Sequence, residues 1–161
     1  MASRRKRAQQ SAITAYCIAD ARFPIYDGTG ASLTGGRWNS QGKSVIYAAL
    51  SHAGALLERL VHAGIGELSK NQQIVVIIIP PRVRREQWSA IDLPKGWAEP
   101  DAIASRRFGD DWLQARRSAV LIVPSVIAKY ENNVGLNTTH PDFRLIRSSK
   151  PEPVVWDSRL A

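Results

Sequence analysis

Short apolar runs, each closed by glycine, proline or a polar cluster, set the rhythm of the chain. Ile13 to Ala19, carrying Tyr16, Cys17 and Ile18, reads as a first strand. From Arg22 to Ser44, Pro24 and Gly28, Gly30, Gly35, Gly36 and Gly42 break any long element, so a long loop with room for short strand pieces is expected. Loops of this length inside a compact domain tend to carry function. Val45 to Ala49 reads as a buried strand bounded by Gly42 and Ser51. Ser51 is placed to cap a helix in which Ala53, Leu56, Leu57, Leu60 and Val61 share one face, ending near Gly64. Glu58 lies about 60° round that helix from Val61. On pattern alone it is a solvated glutamate at the border of the apolar face.

Gln72 to Ile79 reads as a further buried strand rich in β-branched residues, stopped by Pro80-Pro81. Residues 82 to 100 look irregular, their Trp88 and Trp97 reading as satellite core rather than as stacking platforms. Asp101 is placed to cap a helix to Phe108, and Asp110 or Asp111 a second through Trp112 and Leu113 to Arg117. Ala119 to Val123 is the next strand, closed by Pro124, which puts Ser125 just past a strand end. Residues 131 to 142 read as a polar loop, with last strands at Phe143 to Arg147 and Val154 to Trp156. This irregular alternation predicts one α+β domain over residues 12–161, behind a disordered basic arm over residues 1–11.

Composition narrows the function classes. The chain of 161 residues has the size of one domain. Its longest aliphatic run, Ile74 to Ile79, falls far short of the roughly 20 residues of a membrane span. Polar Gln9, Gln10 and Ser11 follow the basic cluster Arg4 to Arg7 where a signal peptide would be apolar, so a cytoplasmic protein is expected. The single Cys17 excludes an internal disulfide and a multi-cysteine zinc site. A net charge of +8 suits phosphates, nucleic acids or acidic partners. The paired arginines at 84–85, 106–107 and 116–117 form no stripe with aromatics, however, and no nucleic-acid motif is present, so a nucleic-acid reading rests on charge alone.

Candidate chemistry gathers between Gly35 and His62, where Arg37 offers a fixed cation, Tyr47 an aromatic face and Glu58 a carboxylate from three successive elements. Glu58 and His62 stand four apart as some zinc ligands do, but His-Glu-x-x-His is absent and only His52 and His140 remain as imidazoles. A hydrolase built on Ser125 and His140 lacks the Gly-x-Ser-x-Gly elbow, and Pro124 has no amide for an oxyanion. Gly28-Thr29-Gly30 fails the dinucleotide fingerprint, since Leu33 stands where its last glycine would. A phosphate or dinucleotide site made of loop amides and Arg37 is more credible, because arginine forks onto phosphate and glycines let backbone approach it. The residues alone leave an undefined binding domain open beside it.

The run Gly35-Gly36-Arg37-Trp38-Asn39-Ser40-Gln41-Gly42 is followed by Val45-Ile46-Tyr47-Ala48-Ala49, Gly54-Ala55-Leu56-Leu57-Glu58 and Val61-His62. Val123-Pro124-Ser125-Val126-Ile127, then Asn137, His140-Pro141-Asp142-Phe143 and Asp157-Ser158-Arg159-Leu160, come after it in order. Together these resemble the RES domain from about Ile13 to Leu160, with the family's Arg, Glu and Ser falling on Arg37, Glu58 and Ser125. The resemblance implies a split mixed or antiparallel β core flanked by helices, similar to the ADP-ribosyltransferase fold. It also implies a toxin of a bacterial type II toxin–antitoxin pair that inhibits growth by consuming NAD as a substrate, without a metal.

In that reading Glu58 stabilises the positive ribose, Arg37 binds the pyrophosphate or ribose side, and Tyr47 packs against nicotinamide. Ser125 orients Glu58 or a sugar hydroxyl, while Asn137 and His140 are secondary candidates that either contact NAD or order their loop. The ADP-ribose acceptor (water, phosphate or a protein) stays open. The implied partner is an Xre-like helix-turn-helix antitoxin covering the site, in a complex that can hold a toxin homodimer; DNA contact would belong to the antitoxin. Family members commonly carry Arg where this chain has Cys17. That departure leaves an alternative, a catalytically weakened module acting mainly through its partner, unless Arg22 or another cation substitutes.

Overall fold

The computed structural model describes residues 11–64, 68 and 70–160; the basic arm expected over residues 1–11 lies, Ser11 apart, outside them. Eight strands join in one sheet: β1 (Ile13–Asp20), β2 (Val45–Ala49), β3 (Gln72–Ile79), β4 (Arg85–Gln87), β5 (Val120–Pro124), β6 (Asn132–Asn137), β7 (Arg147–Ser148) and β8 (Glu152–Pro153). Their order is β4-β5-β6-β2-β1-β3-β7, with β8 also on β3; only β4 and β5 run parallel. The two halves meet between β1 and β2 through a single register pair, Tyr16 with Ala49, against eight between β1 and β3. A sheet so weakly joined at its middle is the split core of an α+β domain.

Side-chain alternation gives each face its own core. Ala15, Cys17, Ile46, Ala48, Val75, Ile77, Val120, Ile122, Val134 and Leu136 fill one face, covered by Ile25, Tyr26, Phe143 and Leu145. The other face carries Val45, Leu121 and Val123 under Trp38, Leu93, Trp112 and Leu113. Trp88 and Trp97 pack against this second cluster, as expected of satellite core. Helices α1 (Thr29–Thr34), α2 (His52–Ala63) and α3 (Ile103–Ala115) complete the domain.

Several expectations change. The stretch from Arg22 to Ser44 contains α1, and Asn39, fully buried, braces the rest by donating through Nδ2 to the carbonyls of Ala31, Ser40 and Lys43. Residues 82–100 include edge strand β4, paired with β5. Residues 131–142 are not a loop throughout: β6 is an inner strand, held by β5 on one side and β2 on the other. Phe143 falls in a 3₁₀ turn, Pro141–Leu145, before the short β7, and the last strand ends at Pro153. The two helices expected around Phe108 are the single α3. Among the described residues Asp101 accepts from the Ile103 amide alone, whereas Asp110 reaches out to the Ser40 amide at 2.9 Å and its hydroxyl at 2.5 Å.

The 3₁₀ turn is tied to the strand-end loop by Asp142, whose carboxylate accepts from the side chain and backbone of Arg84. The Arg84 guanidinium draws the Asp142 carboxyl down from 3.8 to about 2. Since the folded value lies below the unfolded one, the ionised form favours the fold. This contribution is complete above about pH 4 and disappears as pH falls toward 2. Asp142→Asn is therefore expected to flatten that part of the acid limb in a denaturant-midpoint series against pH.

Candidate active site

Ser51 caps α2 as expected, its hydroxyl accepting from the Gly54 amide at 2.9 Å. The helix nevertheless turns a different face to the sheet. Gly54 and Ala55 are buried, while Leu57 and Val61 of the predicted apolar face are 36% and 56% exposed. Small side chains let the helix settle close over the end of β2, and this rotation carries Glu58 inward. Its Oε1 accepts from the Ser125 hydroxyl at 2.8 Å and from Asn133 Nδ2 at 2.6 Å. Ser125 is 5% exposed, and its Oγ accepts from the amides of Ile127 and Ala128 at 3.2 and 3.0 Å. A hydroxyl has one proton, and here it points at Glu58. Ser125 is thus held as a donor to Glu58.

The Tyr47 side chain reaches from β2 to the loop that carries Arg37. Tyr47 alternates onto the face of the second core cluster, the same face as Asn133. Its hydroxyl donates to Asn39 Oδ1 at 2.5 Å and accepts from the Trp38 amide at 3.0 Å. Burial pushes its pKa up, so it stays a phenol. Gly36 packs so closely that an added Cβ would lie 2.8 Å from the Tyr47 ring. Arg37 donates through Nη1 to the carbonyls of Trp97 and Glu99, at 3.1 and 3.0 Å, which fixes where the guanidinium stands. Arg106 bonds the Gly36 carbonyl at 3.2 Å from α3. The structure therefore joins Glu58 to Ser125 directly and Tyr47 to the Arg37 loop, two pairs on one face of the sheet.

Asn137 is fully buried, its amide donating to Leu113 O and its Oδ1 accepting from the Thr139 amide and hydroxyl. Those bonds tie the end of β6 to α3 and to the loop that follows. His140 caps the 3₁₀ turn, Nδ1 accepting from the Asp142 amide at 3.0 Å. Asn133 and Arg106 were missed by sequence reasoning, and Asp110 was read as a helix cap rather than as the partner of Ser40. Asn133 carried no signal, since it stands in a stretch of polar residues that reads as loop.

Cys17 lies in the first core cluster, on the sheet face away from Tyr16 and α2. Burial pushes its thiol up to about 12. Native protein is expected to leave Cys17 unmodified by an aromatic disulfide reagent near neutral pH, and unfolded protein to react fully. Arg22, the candidate substitute cation, is committed to Asp20 through bonds of 3.0 and 2.8 Å. Among the described residues no cluster of three or more His, Cys, Asp or Glu could hold a metal ion, and no helix is long and apolar enough to cross a membrane.

A single α+β domain with a split mixed sheet, carrying a loop arginine, a helix glutamate and a serine past a strand end on one face, defines a recognisable class. The chain belongs to the RES domain family, whose model matches residues 11–157. It is 43% identical over 136 residues to the Prs ADP-ribosylating toxin of Sphingobium sp. (strain YBL2), covering 83% of this chain and 84% of that one. It is 39% identical to the Toxin Res of Photorhabdus laumondii, covering 84% and 87%. The fold is shared with a chain of the M. tuberculosis MbcT–MbcA toxin–antitoxin complex, at TM-score 0.73 over 91% of this chain and 86% of that chain, with 16% identity.

Proposed function

We propose that this protein is the toxin of a toxin–antitoxin pair and takes NAD as its substrate, breaking the nicotinamide–ribose bond. The observation that carries this is the Glu58 carboxylate, held by Ser125 and Asn133 on the sheet face that also carries Tyr47. As the bond breaks, its electron pair leaves with neutral nicotinamide and positive charge grows on the ribose carbon. A fixed carboxylate beside that carbon stabilises the charge, because its orientation need not change during reaction. Arg37, anchored through Nη1, offers Nε and Nη2 to the diphosphate, and Tyr47 its ring to nicotinamide. The acceptor then adds its oxygen or nitrogen to the ribose carbon and gives up a proton. The name of the Sphingobium relative, an ADP-ribosylating toxin, favours a protein acceptor over water or phosphate.

The partner reading has support in the surface round this site. Leu57 and Val61 flank Glu58 along α2, and Val126 and Ile127 follow Ser125, all at least 36% exposed. An antitoxin of the Xre-like helix-turn-helix class covering Glu58 would bury this apolar rim, and the +8 charge favours an acidic contact surface on it. DNA contact belongs to that antitoxin in this reading, and the toxin acts in the cytoplasm. The burial of Cys17 away from Glu58 supports a working site rather than a weakened module, since no group on the Glu58 face is lost at position 17.

The test is to incubate purified protein with NAD labelled in the adenine half, following nicotinamide release and the fate of the label. Label on protein identifies a transferase; label in free ADP-ribose or its 1-phosphate identifies water or phosphate as acceptor. Intact NAD under all conditions overturns the proposal.

A further inference from the structure

Both hydrogen bonds to the Glu58 carboxylate fall on the same oxygen. Oε1 accepts from Ser125 and Asn133, and Oε2 has no hydrogen-bond partner among the described residues. Of the two donors, Asn133 stands within the sheet. It sits in the inner strand β6, in register with Ala49 of β2 and Val123 of β5, so both neighbouring strands fix its Cα. Ser125, by contrast, lies beyond the end of β5 in a turn. At 2.6 Å the Asn133 bond is the shorter of the two. A glutamate on a helix otherwise turns freely about its last torsion. Two donors converging on one oxygen from different elements remove that freedom and leave the two oxygens with different surroundings.

We infer that Asn133 is a positioning residue for Glu58: with Ser125 it pins Oε1, so that Oε2 is the oxygen presented to the ribose. This rests on the NAD reading for the identity of what Oε2 meets, but not for the pinning itself. Asn133 acts through Glu58 and does not touch the substrate. Its loss therefore lowers kcat while leaving KM in place, because the groups assigned to bind NAD are Arg37 and Tyr47, neither of which Asn133 holds.

The test has two arms. In the first, Asn133→Ala is expected to lower kcat for nicotinamide release about 10- to 100-fold, the range for losing a hydrogen bond to a charged group, with KM within about twofold. Asn133→Asp keeps the shape but puts an acceptor where the donor stood. A carboxyl facing another takes up a proton more readily and then donates again. The activity of this variant relative to wild type is expected to climb as pH falls from about 8 to about 5.5. A merely structural role would give no such profile. In the second arm, without NAD, the Asn133 side-chain amide resonance in a proton–nitrogen spectrum is expected to move in Glu58→Ala. Unchanged turnover in Asn133→Ala, a rise in KM alone, an Asn133→Asp profile parallel to wild type, or an unmoved resonance each overturns the inference. Wild-type protein that releases no nicotinamide overturns the NAD reading instead, and the spectrum then decides on Asn133 by itself.

Discussion

Glu58→Gln is expected to lower nicotinamide release from NAD about 10²- to 10³-fold, the usual loss when one preorganised electrostatic group is removed from a site. The substitution isolates charge from shape. A glutamine carbonyl oxygen still accepts from Ser125 and Asn133, so α2 and the turn after β5 keep their packing. What changes is the other position, where an acceptor bearing negative charge becomes a neutral amide donor. Such an amide cannot stabilise the positive ribose. A melting temperature within a few degrees of wild type would show that the loss is chemical. Turnover equal to wild type would remove Glu58 from the mechanism.

Gly109→Ala is expected to destabilise the protein by about 3 kcal/mol, the upper part of the range for overpacking a core, although alanine favours a helix interior by about 1 kcal/mol over glycine. An added Cβ would lie 1.9 Å from the Trp38 carbonyl oxygen and 2.6 Å from its carbon. Those atoms are backbone, so no rotamer change relieves the overlap, and α3 must move off the loop or the loop off α3. For a domain of this size the melting temperature should fall by about 6–12 °C. Gly30→Ala, within α1 and with nothing within 4 Å of an added Cβ, is the control and should change little. The Gly109 variant should also lose activity, because the displaced loop carries Arg37 and is tied to α3 by the bonds of Ser40 to Asp110.

The elements legible in the sequence were those with local causes. β2, the Ser51 cap and α2 follow from an apolar run, a hydroxyl and helical spacing, all within neighbouring turns of chain. β3 and β5 follow from β-branched runs closed by proline. The α+β class follows from how these elements alternate. The missed elements have distant causes. Asn132, Asn133 and Gly135 have little strand propensity of their own, yet β6 forms because partners on both sides take its backbone and Trp112 lies over Gly135. Gly109 and Asp110 read as a break between two helices, but they serve the contact with Trp38 and Ser40, more than 60 residues away.

The site divides in the same way. Sequence pattern and resemblance by themselves singled out Arg37, Tyr47, Glu58 and Ser125 as candidates, because each stands in a recognisable local context. The tertiary structure alone decided which of them touch. Helical periodicity specifies that a face exists but not which face turns inward, since that depends on how closely the helix can approach the sheet. Gly54 and Ala55 permit the close approach, Glu58 is turned toward Ser125, and Asn133, invisible as one asparagine among polar neighbours, arrives beside it from an inner strand.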